Sequence, residues 1–178
     1  GALPSQIKPL DPKMKVCGPA FTISSPPRDN LLLHKALTLV KPGDVLVVEV
    51  SDWYEAGYWG DILTQAAMEK KVAGLVINGC VRDRNEIVAL GFPVFARGLC
   101  IRGTGKAGGG YINHRIKMGD VIIEPGDVVV GDADGVAVIS RQNLEEVIEK
   151  ARQREEKEEM VRQELKKGRN TMEIYGWS

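Results

Sequence analysis

Two short apolar runs, Val45 to Val50 and Ala73-Gly74-Leu75-Val76-Ile77, constrain this chain more than any other feature. The first is rich in β-branched residues and suits a buried strand; the second fits a strand covered on both faces. Between them the chain passes through a glycine-flanked turn, Gly57-Tyr58-Trp59-Gly60, into Asp61 to Lys70, whose alanines, leucine and straight-chain residues favour a helix with an acidic first turn. Earlier, Val16 to Ser24 reads as a strand and Leu31 to Val40 as a helix; later, Asn85 to Leu90 suits a short helix ending at Gly91, and Pro93 to Arg97 a strand. Strand and helix alternate, so the fold class is mixed α/β.

The strand at Ala73 to Ile77 is expected to stop at Asn78-Gly79, leaving Arg82-Asp83 on the outgoing turn. The start of the preceding helix offers the backbone N–H groups of Asp61, Ile62 and Leu63 to an anion, and Gly60 leaves room for a ligand to approach. Arg82 presents a planar fork of donors to a carboxylate, while Asp61 and Asp83 are hard oxygen ligands suited to Mg²⁺ or Mn²⁺. Each also has an ordinary structural reading. Asp61 can serve as a helix cap, and Arg82 and Asp83 can be a solvated pair at a strand end. Local sequence leaves both readings open.

The rest of the chain narrows the field. Equal numbers of acidic and basic side chains, 24 each, imply no nucleic-acid partner, and no apolar run is long enough to span a membrane. Cys17, Cys80 and Cys100 are too few and too irregular for a disulfide scaffold or zinc site, so a reducing cytoplasm is the expected location. The stretch Gly103 to Gly110 is not a phosphate loop: Ala107 follows its only Gly-Lys where Ser or Thr is needed, and no helix opens from it. It reads as a flexible loop. His34 reads as an ordinary helical histidine, and the acidic turns Pro125-Gly126-Asp127 and Gly131 to Gly135 as tight turns between strands spanning Tyr111 to Glu124 and Val128 to Ile139. Tyr54, Tyr58 and Trp59 can line a binding pocket beside the start of the Asp61 helix or serve as core or interface aromatics, the second being the preferred reading. One long helix is expected from Ser140 as N-cap to Gly168, its first half packed through Leu144, Val147, Ile148 and Ala151 and its charged second half reaching toward another subunit. That divides the chain into a domain of residues 1–140 and a terminal helix and tail of residues 141–178, the expected oligomer contact.

Asp61, twenty intervening residues and then Arg82-Asp83 resemble the Asp-x20-Arg-Asp pattern of the RraA-like family, which unites 4-hydroxy-4-methyl-2-oxoglutarate aldolases with the regulator of ribonuclease E activity A. Cys17 to Thr22, Pro42 to Val48, Gly60 to Leu63, Asn78 to Asp83, Pro125 to Asp127 and Gly131 to Val136 are similar to family blocks in family order. The resemblance covers nearly the whole chain. It implies a β/β/α sandwich related to swivelling phosphohistidine domains, with a long C-terminal helix, assembled as homotrimers or homohexamers. Family members carry a helical segment before the first residues seen here.

Site roles follow from the same resemblance. Asp83 is expected to ligate Mg²⁺ or Mn²⁺, Arg82 to bind a small 2-oxo acid, Gly60, Asp61, Ile62 and Leu63 to receive its carboxylate, and Asp61 to hold metal-bound water; a glutamate among Glu155, Glu156, Glu158 and Glu159 is a candidate to act from a neighbouring subunit. The implied activity is metal-dependent aldol cleavage and oxaloacetate decarboxylation through a pyruvate enolate stabilised by the metal and Arg82. Consistent with a mechanism without a Schiff base, neither apolar run contains a lysine. The alternative is a non-catalytic regulator that binds a ribonuclease or another protein. The family's older label, demethylmenaquinone methyltransferase, finds no support, because the chain lacks a glycine-rich loop suited to S-adenosylmethionine.

Overall fold

The computed structural model describes residues 1–177. In chain order its elements are β1 (Lys8–Pro9), β2 (Val16–Ser24), α1 (Leu31–Ala36), β3 (Val45–Glu49), α2 (Asp61–Glu69), β4 (Gly74–Val81), α3 (Arg84–Leu90), β5 (Val94–Leu99), β6 (Tyr111–Ile112), β7 (Ile116–Met118), β8 (Val121–Ile123), β9 (Val128–Asp132), β10 (Gly135–Ile139), α4 (Leu144–Lys166) and α5 (Thr171–Tyr175). They fall into two units, residues 1–141 and 142–178.

In the first unit the two apolar runs lie side by side. Strands β2, β3, β4 and β5 pair in parallel, with Val45 to Val48 of β3 opposite Gly74 to Ile77 of β4. Every residue of β3 except Glu49 is buried, as is Leu75 to Ile77, which is what a strand flanked on both faces requires. Antiparallel strands extend the sheet on both sides, giving the order β1-β5-β4-β3-β2-β9-β10, with β6 also on β2 and β7-β8 as a separate hairpin. The N-terminal stretch nearly closes it. Ala2 bridges Ala137 of β10 and the Leu3 N–H donates to the Val136 carbonyl at 2.9 Å, whereas Lys8 and Pro9 pair with Ala96 and Phe95 of β5. Both outer strands therefore have backbone partners.

Three expectations need correction. Strand β4 does not stop at Asn78-Gly79 but runs through it to Val81, with a register irregularity between Ile77 and Cys80. A side chain at Gly79 would begin 3.0 Å from Val50 Cγ2 and 3.3 Å from the Tyr58 ring, so the glycine serves close packing rather than a turn. Helix α1 ends at Ala36, short of Val40. The terminal helix starts at Leu144 after a 3₁₀ turn, Arg141–Asn143, and Ser140 does not cap it. Helix α4 has no buried residue. Its charged face is instead linked by intrahelical pairs such as Arg154–Glu158 at 2.8 Å and Lys167–Glu164 at 2.7 Å. Gly168 follows α4 at φ +89°, as a helix-terminating glycine should. No helix among the described residues is long and apolar enough to cross a membrane.

Candidate functional site

The end of β4 positions the site. The segment Gly57 to Gly60 runs beside it as a short extra strand: Gly57 bridges Cys80, the Tyr58 N–H donates to the Cys80 carbonyl at 3.1 Å, and the Arg82 N–H donates to the Trp59 carbonyl at 2.9 Å. Trp59 and Tyr58 are fully buried, with Trp59 stacked on Phe92 at 6.3 Å, so they anchor this segment in the core. The Trp59 indole N–H donates to Thr64 Oγ1 at 2.7 Å, and the Thr64 hydroxyl donates to the Gly60 carbonyl at 2.9 Å. The first turn of α2 is thereby locked against Arg82 and Asp83.

A side chain at Gly60 would force Asp83 to move, because a Cβ there would lie 2.3 Å from Asp83 Oδ2 and 3.3 Å from Arg82 Nε. Asp83 caps α3 in the left-handed region at φ 58°, ψ 42°, a conformation aspartate tolerates better than most residues and one typical of functional turns. Its Oδ2 accepts the Asp61 N–H at 3.3 Å and lies 3.7 Å from Arg82 Nε; the two side chains are 30% and 50% exposed. The N–H groups of α2 are consequently less free than expected. That of Asp61 goes to Asp83 and that of Ile62 to the Asp61 side chain at 2.7 Å, leaving the Leu63 N–H without a hydrogen-bond partner among the described residues.

Gly57, Gly60, Ile62, Leu63 and Arg82 line a cavity of about 300 Å³. Asp83 faces a neighbouring cavity of about 260 Å³ with Arg82, Arg84 and Leu99, so Arg82 stands between the two spaces. Residues to which the sequence assigns no site role complete the first cavity: Asn30, on which it is silent, His34, which reads as an ordinary helical histidine, Tyr58, whose preferred reading is a core or interface aromatic, and Thr104 and Lys106 from the stretch that reads as a flexible loop. Lys106 donates to Asn30 Oδ1 at 2.5 Å, while the Asn30 amide donates to the Tyr58 carbonyl at 2.7 Å. The glycine-rich loop that carries Lys106 is tied down. Asp29, 4% exposed, accepts the N–H groups of Ala107 and Gly108, and the Gly105 N–H donates to the Arg28 carbonyl at 2.7 Å.

Electrostatics follow from this arrangement. Burial raises the Asp29 pKa, but the N–H groups of Leu31, Ala107 and Gly108 together with the Lys106 ammonium outweigh it and hold the carboxyl below its ordinary 3.8. Partial burial, then the Lys106 charge, push His34 below 6.5, so its imidazole is neutral at pH 7. The cavity thus presents two cations, Arg82 and Lys106, and a neutral imidazole, an arrangement matched to a guest with two anionic ends.

Among the described residues no cluster of three or more His, Cys, Asp or Glu is arranged to hold a metal. A lone, partly exposed carboxylate still fits Mg²⁺ or Mn²⁺, which keep most of their shell as water and substrate oxygen. Asp83 is such a group, with Oδ2 oriented by Asp61 and Arg82. Of the glutamates considered for action in trans, Glu158 and Glu159 are engaged in pairs within α4.

Residues 1–138 match the RraA-like family, described as aldolase/RraA. A protein of Halalkalibacterium halodurans named "Putative 4-hydroxy-4-methyl-2-oxoglutarate aldolase" is 41% identical over 157 residues, covering 88% of this chain and 75% of its own. The crystal structure of Streptomyces coelicolor RraAS2, described as an unusual member of the RNase ES inhibitor RraA family, superposes with a TM-score of 0.82 at 32% identity, covering 92% of this chain and 85% of its own. That of the RNA-processing inhibitor RraA from Thermus superposes with a TM-score of 0.72 at 28% identity over 78% of this chain and 84% of its own.

Proposed function

Since this chain belongs to the RraA-like family, we propose that it is a lyase, a divalent-metal-dependent aldolase and decarboxylase that releases pyruvate from 4-hydroxy-4-methyl-2-oxoglutarate and from oxaloacetate. The observation that carries the reading is the convergence of Arg82, Asp83 and the start of α2, with Asp83 Oδ2 accepting the Asp61 N–H at 3.3 Å. Mg²⁺ or Mn²⁺ held by Asp83 would withdraw electron density from the 2-oxo group. Arg82 grips the substrate carboxylate with its guanidinium fork, and the unpartnered Leu63 N–H completes that cradle. Lys106 takes the distal carboxylate of a dicarboxylic substrate. In the cleavage direction the C4 hydroxyl loses its proton to a water held by Asp61 as the C3–C4 bond breaks, the bonding pair passes to C3 as an enolate, and a proton returned from that water converts the enolate to pyruvate; in oxaloacetate the C3–C4 bond breaks with release of carbon dioxide and C3 is protonated in the same way. We place the enzyme in the cytoplasm as a homotrimer or homohexamer.

The RraA names among its structural relatives favour a second reading, a regulator that binds a ribonuclease or another protein. Pyruvate release separates the two. Wild type and Asp83→Ala are assayed on both substrates with Mg²⁺, with Mn²⁺ and with chelator, oligomeric state being checked in parallel. The lyase reading expects turnover that needs both metal and Asp83. No turnover from folded, correctly assembled wild type would refute it in favour of the regulator.

A further inference from the structure

A second polar pocket, about 570 Å³, shares no lining residue with the candidate site. It opens at the carboxyl ends of β2 and β3, alongside Asn78 within β4 and Arg97 within β5. Ser24 of β2 pairs with Glu49 of β3, and side-chain hydrogen bonds carry the row across the sheet: the Asn78 amide donates to Glu49 Oε2 at 2.8 Å and Arg97 Nε donates to Asn78 Oδ1 at 2.6 Å. The carboxyl ends of parallel strands are where α/β sheets place ligands.

Arg97 is the informative residue. Its guanidinium lies over the Tyr54 ring at 3.8 Å from the centroid, and Nε is fixed by Asn78, which is only 2% exposed. Among the described residues Arg97 forms no salt bridge, and neither Nη group has a hydrogen-bond partner. A stacked, oriented guanidinium with both terminal nitrogens unused is a preorganised carboxylate receptor. The same wall carries two carboxylates, Glu49 and Asp52, the latter oriented by the Tyr54 hydroxyl, which donates to Asp52 Oδ1 at 2.6 Å. A simple anion would be repelled by those two groups, and a metal ion by Arg97 and Lys117. A guest bearing both charges satisfies all of them.

We propose that this pocket binds an acidic α-amino acid, its α-carboxylate on the Nη pair of Arg97, its ammonium on Glu49 and Asp52, and its side-chain carboxylate toward Lys117, which also lines the pocket and forms no salt bridge among the described residues. This goes beyond the lyase reading and does not depend on it.

The test is calorimetric titration of the full chain with L-aspartate and L-glutamate, using succinate as the control that lacks the ammonium. Saturable binding of at least one of the two amino acids is expected, equal in wild type and Arg82→Ala, with succinate weaker by about tenfold or more. Arg97→Gln should abolish it. Glu49→Gln keeps an acceptor for the Asn78 amide and should fold normally, yet weaken binding by about tenfold. Absence of binding to folded wild type, equal binding of succinate, loss of binding in Arg82→Ala, or undiminished binding in Glu49→Gln would each overturn the assignment.

Discussion

Replacing Gly60 by alanine adds one methyl group at the closest approach between α2 and Asp83, and the structure fixes what must follow. The backbone at Gly60, φ −150° and ψ −167°, is ordinary extended chain, so alanine meets no conformational strain. The new Cβ would lie 2.3 Å from Asp83 Oδ2, where ordinary contact begins at 3.4 Å. The carboxylate is the end of a side chain 30% exposed, so it can withdraw by about 1 Å while the helix stays in place. That withdrawal breaks the 3.3 Å bond from the Asp61 N–H, a loss of about 1 kcal/mol, which the reduced freedom of the unfolded chain offsets by about 0.4–1 kcal/mol. Stability should change by less than about 1 kcal/mol. On the lyase reading proposed above, function should not be spared: a displacement of about 1 Å at a catalytic group costs on the order of 100-fold, and a disturbed ligand environment about 10–100-fold in metal affinity. Denaturant melts, Mn²⁺ titration and pyruvate release measure the three quantities on one preparation. A Gly60→Ala protein that keeps Mn²⁺ affinity and kcat/KM within about threefold of wild type would refute the argument, as would one that unfolds.

Other perturbations probe different layers of the same arrangement. Thr64→Val keeps the shape of a fully buried side chain but strands the Trp59 indole N–H and removes the bond to the Gly60 carbonyl; a loss of about 2–4 kcal/mol is expected in urea melts, and less than about 0.5 kcal/mol would contradict it. Asp29 is held below 3.8 when folded, so its stabilisation is fully present above that value and disappears as pH falls through the depressed folded pKa. Wild type should therefore exceed Asp29→Asn in stability by a constant margin near neutrality and lose that margin at strongly acid pH; a margin independent of pH would show that the carboxylate charge is not what holds the loop. On the same lyase reading, Lys106→Met should raise KM for 4-hydroxy-4-methyl-2-oxoglutarate by about tenfold or more without changing the melting temperature appreciably, and an unchanged KM would remove Lys106 from substrate binding.

The elements legible in the sequence were those whose own residues decide their state. Val45 to Val48 and Leu75 to Ile77 are apolar throughout and buried throughout, and Gly91 ends α3 at φ +74° as a terminating glycine should. Asn78-Gly79 misled because the pair favours a turn locally, whereas the fold uses Asn78 to link Glu49 with Arg97 and Gly79 to admit Val50 and Tyr58. The same division runs through the site. Gly60 and Asp61, and Arg82 and Asp83, stand in two recognisable blocks at a fixed spacing, and they meet in space. Asn30, His34 and Lys106 reach the cavity from two other parts of the chain, joined by the hold of Asp29 on the N–H groups of Ala107 and Gly108, by the Gly105–Arg28 backbone bond and by the Lys106–Asn30 contact, and no periodicity or local spacing records such links. In the glycine-rich stretch composition indicates freedom, whereas a buried carboxylate supplies the restraint.

The N-terminal stretch that joins the two sides of the sheet also sets an order of events during synthesis. Gly1 and Val138, bonded in the finished fold, are 137 residues apart in the chain. At about 5–20 residues per second, the first residues emerge roughly 7–27 s before their partners on β10 exist. Until then β2 lacks its β9 neighbour and Ala2 and Leu3 lack their partners on β10, and a nascent chain in that interval offers open strands to whatever lies nearby. Closure of the sheet is thus the last long-range contact available to residues 1–141, and the interval before it is when a second nascent copy, or a chaperone, competes for the same backbone groups.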